Sequence, residues 1–201
     1  MEEFIIDGKS VAIMSKAEID HEISLAKIDR REINFNGKTL KALALAEKNI
    51  ECGINMENAL ILGNVFLGNT TVNGNINLSG TVINGSFFFG RGRLIGNLIL
   101  EKSWIDQTVN LVGANITGSL MFNQMRTGGF ISVSKAVVLG DVDFRQMEVL
   151  DRYNNGLKIK GDIHFNNAQI NGFLDLSQTS LTGDANLENA LIRKKLTAKN
   201  L

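Results

Sequence analysis

The chain has 201 residues, 44% of them hydrophobic, which is enough to bury one sizeable core. Lysine plus arginine equals aspartate plus glutamate at 21 each, so no global field draws it to nucleic acid or to an anionic membrane surface. The single cysteine, Cys52, excludes an internal disulfide, and no apolar run approaches the ~20 residues that span a bilayer. The opening Met-Glu-Glu-Phe-Ile-Ile lacks the basic segment and long apolar run of a secretory signal. A reducing, cytoplasmic setting without membrane insertion is expected.

One template of about eleven residues, small-x-Ile-x-Gly-x-Leu-x-Leu-x-x, organises the chain, and Ala114-Asn115-Ile116-Thr117-Gly118-Ser119-Leu120-Met121-Phe122 shows it cleanly. In chain order, residues 1–58 follow it loosely and form the less regular N-terminal coils, with a possible cap or short helix. Ala17, Ile19, Ile23 and Leu25 match the template, and Ala26, Ile28, Ile33 and Phe35 match it with one extra residue. Residues 15–33 therefore read as strands. They also admit an amphipathic helix, because Ile19, Ile23 and Ala26 share one helical face.

Residues 59–192 are the regular part. Twelve consecutive segments from Ala59 to Ala190 repeat the template, with glycine in the central slot in all but the two at Gln107 and Asp151. An eleven-residue period can also mark a right-handed coiled coil. Glycine costs a helix interior roughly 1 kcal/mol relative to alanine, and one per segment would leave no helix to coil. Within each segment the large apolar residues keep a period of two, as in Ile61, Val65 and Leu67, which is what a pleated strand needs. Each template then makes two short strands, with glycine at one corner for positive φ or close backbone approach. The small slot, held by Ala59, Thr70, Thr81, Ser103 and their equivalents, suits the opposite corner.

Eleven residues cannot enclose the large side chains, so two templates, about 22 residues, make one turn. The outward series Asn55, Phe66, Asn77, Phe88 alternates with that period. The fold class is all-β: a parallel β-helix of about 22 residues per coil and roughly eight coils, right-handed by the crossover preference, on the order of 40 Å long. The whole chain, 1–201, reads as a single solenoid domain. Between Met147 and Lys160 the rules loosen, with Asp151 and Asn155 in inward slots, and a bulge or protruding loop is expected there. Residues 193–201 form a basic C-terminal tail.

Ala185-Asn186-Leu187-Glu188-Asn189-Ala190-Leu191 resembles two units of the pentapeptide-repeat family, motif A(D/N)LXX, and Gly113-Ala114-Asn115-Ile116 resembles one. That resemblance implies a right-handed quadrilateral β-helix. Most units here have eleven residues where two pentapeptides have ten. Members of that family that imitate DNA are acidic rods, and this chain has no negative surplus. The glycine- and valine-rich windings also look similar to the bactofilins, β-helices that polymerise end to end.

The inventory for catalysis is thin. His21 and His164 lie about thirteen templates apart, too far along a solenoid to share a site. Cys52 replaces a glycine and reads as a small packed residue rather than a nucleophile. No calcium-binding nonapeptide or phosphate-binding loop is present. The expectation is a protein without enzymatic activity, cofactor or metal. Asp141, Asp143, Arg145, Asp151 and Arg152 form the one charged cluster, and a groove there is the alternative, a carbohydrate-binding or carbohydrate-active β-helix.

Recognition of a protein partner is the remaining reading. Counted every 22 residues, one outward column reads Leu60, Val82, Trp104, Arg126, and another Phe66, Phe88, Asn110. The only tryptophan thus lies in an apolar strip with Arg126 placed to stack on it, and such strips mark partner contacts when no segment of the chain covers them. The ends differ in sign: Glu2, Glu3 and Asp7 against Arg193, Lys194, Lys195 and Lys199. Charged edges protect against aggregation, and opposite signs also permit end-to-end, head-to-tail stacking that added salt would weaken.

Overall fold

Apolar residues at every second position, with a turn after every few, yield strands only two or three residues long in most of the chain. A computed structural model describes residues 2–6, 9–154 and 157–201, and the side chains of 11–152 and 158–201. The strands stack into four parallel sheets, the faces of a solenoid of about eight coils. One coil runs Leu60–Ile61 on the first face, Val65–Phe66 on the second, Thr71–Asn73 on the third and Ile76–Asn77 on the fourth. Each strand pairs with the one 22 residues on, as in Ile76↔Leu98 and Leu98↔Leu120, so the inferred period is observed. The first coil is one residue shorter, with Ile33 opposite Ile54.

The inward columns are dry. Ile54, Ile76, Leu98 and Leu120 on the fourth face and Phe87, Val109 and Ile131 on the second are fully buried, and Phe122 stacks on Phe144 with centroids 4.8 Å apart. The small slots are buried too, and their hydroxyls are satisfied: Thr81 Oγ1 donates to the Met56 carbonyl at 2.6 Å and Thr70 Oγ1 to the Leu45 carbonyl at 2.8 Å.

The two corners differ from the expectation in which one needs positive φ. It belongs to the residue before the small slot. Every eleventh residue from Glu47 to Gln146, and again from Asn167 to Asn200, has φ between 54° and 69°. These residues close turns in which, for example, the Ala59 amide donates to the Met56 carbonyl at 3.0 Å. The glycine corner takes positive φ at Gly74, 148°, and Gly96, 157°, and serves close approach throughout. A Cβ on Gly118 would stand 2.5 Å from the Gly96 carbonyl oxygen and would also collide with Asn97 Oδ1. The space matters because along the fourth-face corner the polar residue after the glycine reaches up one coil. Asn75 Oδ1 accepts from the Asn97 amide at 2.8 Å, Asn97 Oδ1 from Ser119 at 2.8 Å, Ser119 Oγ from Asp141 at 3.0 Å and Asp141 Oδ1 from Phe173 at 2.9 Å. Glycine and its polar successor form one device.

The N-terminal segment departs from the strand reading. Glu2–Ile6 (β1) pairs antiparallel with Lys9–Met14 (β2), and β2 joins the first face in parallel through Ile13↔Thr39 and Met14↔Leu40. Within residues 15–33, Lys16–Asp29 is a helix, α1, and the strand reading holds only from Ile33. Its start is written in Ser15-x-x-Glu18, a capping box in which Ser15 Oγ accepts from the Glu18 amide and the Glu18 carboxylate accepts from the Ser15 amide at 2.8 Å. Arg30, left-handed at φ 52°, closes it. The helix buries Ala26 and packs Ile19 and Ile23 on the end of the core, while Ile28, an inward residue in the strand reading, is 74% exposed.

The second departure is at 147–160. The coil-to-coil step is 32 residues for Ile131↔Ile163 and Val142↔Leu174, ten more than elsewhere. The extra residues form a hairpin, Arg152–Asn154 against Leu157–Ile159, at the corner between the first and second faces. Asp151 is therefore no inward template slot. It is half-exposed at the hairpin base, its carboxylate 2.6 Å from Lys158 Nζ and accepting from the Gly161 amide at 3.3 Å. Asn155 lies outside the described residues. Residues 193–201 are likewise structured: Leu196–Thr197 pairs with Leu174–Asp175 on the fourth face.

Candidate interaction surface

On a parallel sheet, outward residues of successive coils stand one strand spacing apart, ~4.8 Å, so their side chains form ladders. The first-face ladder reads Leu60↔Val82↔Trp104↔Arg126↔Glu148. Leu60, Val82 and Trp104 are half-buried, and Arg126 is exposed. The Arg126 guanidinium lies 5.3 Å from the Trp104 ring centroid, and its Nε donates to Glu148 Oε2 at 2.7 Å. Arg126 is thereby held between the indole and the Glu148 carboxylate. On the second face Phe66 stacks on Phe88 with centroids 5.0 Å apart and planes 6° from parallel, and Phe66 is 39% exposed. All six residues expected to share a surface stand in the expected columns. They occupy two adjacent faces.

The hairpin adds a feature that periodicity did not reveal. Arg152, at its base, reaches back two coils, its Nη2 3.3 Å from the Asp106 carboxylate and its Nη1 3.4 Å from the Asp106 carbonyl. Asp106 follows Trp104 by two residues on the same face. Gly128 stands one coil above Asp106, and a Cβ there would be 2.6 Å from the Asp106 carbonyl oxygen. The hairpin is thus tied beside the tryptophan ladder. Opposite charges two coils apart, Asp106 and Arg152, were the available signal, hidden because the insertion breaks the count.

The charged cluster does not form a single groove. Asp141, Asp143 and Arg145 lie on the fourth face, whereas Asp151 and Arg152 sit at the hairpin, around the solenoid from them. On the fourth face a shallow basin of about 320 Å³ is lined by Met121, Asp141, Asp143, Arg145, Phe173 and Asp175. Its groups are already engaged. Arg145 clamps Asp143 with Nε and Nη2 at 2.8 and 2.5 Å; burial pushes the Asp143 carboxyl up, but these bonds hold it below the usual carboxylate range. Lys194 Nζ lies 4.9 Å over the Phe173 ring.

Two clefts flank α1, where it leaves the first-coil edges of the second and third faces uncovered. One, of about 580 Å³, is lined by Ile13, Met14, Ile19, Leu43 and Leu45; the other, of about 430 Å³, by Ile23, Ala26, Ile33, Ile50 and Cys52. Burial pushes the Cys52 thiol up, which disfavours the thiolate. His21 is exposed on α1, and His164 meets Phe130 edge-on at 6.0 Å on the second face. Among the described residues no group of three or more His, Cys, Asp or Glu side chains could hold a metal ion, and no helix is long and apolar enough to cross a membrane.

Fold and ladders together define a parallel β-solenoid repeat protein. Comparison with protein-family models, with curated proteins and with solved structures gives no match.

Proposed function

We propose that the protein is a non-enzymatic, cytoplasmic β-solenoid that presents a rigid surface to a protein partner. The contact surface is the ladder Leu60, Val82, Trp104 and Arg126 with the neighbouring Phe66–Phe88 stack. One observation carries this reading: the only tryptophan, in contact with Arg126, stands beside the hairpin that interrupts the coils, and Arg152 ties that hairpin to the same face. A half-buried tryptophan flanked by arginine is the composition of interface hot spots, and a β-solenoid holds it with little conformational entropy left to lose. Architecture of the pentapeptide-repeat kind fits this use, since stacked coils offer long, flat faces. The carbohydrate reading has less support, because Arg145 occupies Asp143 and Lys194 covers the one exposed aromatic of the basin.

The test is affinity capture from the source cell with wild type, Trp104→Ala and, as a control on another face, Leu139→Ala. Loss of the same captured protein with Trp104→Ala alone is expected. A partner retained by Trp104→Ala, or lost equally with Leu139→Ala, overturns the assignment of this face.

A further inference from the structure

The dipeptide Asn-Gly occurs five times, beginning at Asn36, Asn73, Asn84, Asn155 and Asn171. In such a pair the glycine nitrogen can attack the preceding carboxamide, because glycine presents no side chain to the closing ring. The fold treats the four described pairs differently; Asn155 lies outside the described residues. Asn171 and Asn73 make the closest comparison, since both occupy the outward position at the corner between the third and fourth faces. Gly172 donates its amide to the Gly140 carbonyl at 3.0 Å, as Gly140 does to Gly118 and Gly118 to Gly96. Asn171 Oδ1 accepts from Arg193 Nε at 2.9 Å, so nucleophile and electrophile are both held. At Gly74 the chain takes φ 148° instead, and its amide meets no acceptor among the described residues. The Asn73 carboxamide has no hydrogen-bond partner among them either. Asn73 is exposed and Gly74 half-buried. The other two pairs are protected in different ways: Gly37 donates to the Glu57 carbonyl at 2.9 Å, and Gly85, which follows Asn84, is buried.

We propose that Asn73 is a site of spontaneous modification, converting through a succinimide to aspartate and isoaspartate while the solenoid is folded. The Gly74 nitrogen, its proton lost to solvent base, bonds to Asn73 Cγ, and the carboxamide nitrogen takes up a proton and leaves as ammonia. Water then opens the ring. Addition at Cγ breaks the new N–Cγ bond and leaves aspartate. Addition at the main-chain carbonyl carbon breaks the original peptide bond and leaves isoaspartate, with the chain now running through the side-chain carbonyl. The net change consumes water and releases ammonia, with no oxidant or reductant. Either product places a carboxylate on the third face, diagonal to the exposed Arg93, because Asn73 pairs with Ile95 and Thr71 with Arg93. Isoaspartate also lengthens the backbone by a methylene where Gly74 packs tightly: a Cβ there would be 2.5 Å from the Gly53 amide nitrogen. The corner then loosens, and with it the rung in which Asn75 Oδ1 accepts from the Asn97 amide at 2.8 Å. The proposal is independent of the first-face reading.

Peptide mapping by mass spectrometry tests it on the 201-residue chain, incubated folded in mildly alkaline buffer and, in parallel, in urea that unfolds it. In the folded protein Asn73 is expected to convert about fivefold or more faster than Asn36, Asn84 and Asn171, the factor that a protecting hydrogen bond supplies. Isoaspartate is expected among its products, and in urea the four rates converge. Asn73→Gln abolishes the fast conversion and leaves the other three sites unchanged, with circular dichroism checking that the coils persist. A folded-state rate at Asn73 no higher than at Asn171 overturns the proposal. So does another of the four asparagines leading, aspartate without isoaspartate, or the same order of rates in urea.

Discussion

The two ends of this solenoid meet the same physical problem in opposite ways. A stack of coils always leaves an outermost turn whose inward side chains have neighbours on one side only. At the N-terminal end α1 and β2 supply the missing side, so Ile33 is 1% exposed and Leu40 is fully buried. At the other end the same columns finish with Leu196 at 45% and a half-buried Leu181. The template is equally good in both places. What differs is whether another described segment packs on it: a repeat specifies its own interior and says nothing about its lid.

The sharpest way to break that comparison is to remove one leucine from each end. Leu40→Ala opens a cavity under β2 and is expected to cost about 2–4 kcal/mol in urea unfolding. Leu196→Ala deletes a side chain already half in water, and under about 1 kcal/mol is expected. Equal losses would mean that α1 and β2 are not a lid.

Acid sharpens it further, because the lid is latched by carboxylates. Glu22 on α1 accepts from Arg31 Nη1 and Nη2 at 2.5 and 2.9 Å and from the Asn34 amide at 2.7 Å. The Arg31 guanidinium holds the Glu22 carboxyl below its ordinary value of 4.5, against the opposing effect of burial. A depressed folded pKa gives stability that is fully present above the unfolded value and is lost as pH falls through the folded one. Arg31 is 37% exposed, so solvent screening keeps the contribution under about 1 kcal/mol. Thermal melts of Glu22→Gln should therefore lie below wild type at neutral pH, and the two should converge in acid. A gap that does not close with pH would assign the effect to packing rather than charge.

How much of this was legible in the sequence follows the same division. Ladders of identical geometry are visible as identical spacing, so the 22-residue turn is legible in Asn55, Phe66, Asn77 and Phe88, the buried columns in Ile61, Val65 and Leu67, and the neighbours of Trp104 in Val82 and Arg126. The lid was not readable in that way. Ile19, Ile23 and Ala26 satisfy both a strand and a helix template, and the deciding signal was local, the Ser15-x-x-Glu18 capping box. The protruding loop expected between Met147 and Lys160 is the hairpin at 152–159; only the inward slot given to Asp151 fails, because inserted residues still alternate and Asp151 falls where a glycine is due. The glycine corner is legible as close approach, with positive φ at Gly74 and Gly96 only, while the regular left-handed position is one corner away. Asn58, Asn69, Gly80 and Gly113, spaced at elevens, carried that signal one corner away.

Those left-handed positions offer the finest test of the comparison. Asparagine tolerates positive φ better than alanine, so Asn→Ala at such a turn costs roughly 0.5 kcal/mol where the turn is part of the cooperative unit. Asn58, at φ 54°, lies in the coils next to the lid, and Asn189, also at φ 54°, lies in the open last coil. Asn58→Ala should lower global stability by the full amount. Asn189→Ala should leave global stability nearly unchanged and instead speed amide exchange in residues 180–201, because stability in a one-dimensional stack is local at an unprotected end. Equal global losses from both would show that the last coil unfolds only with the rest, and that an open end is held as firmly as a capped one.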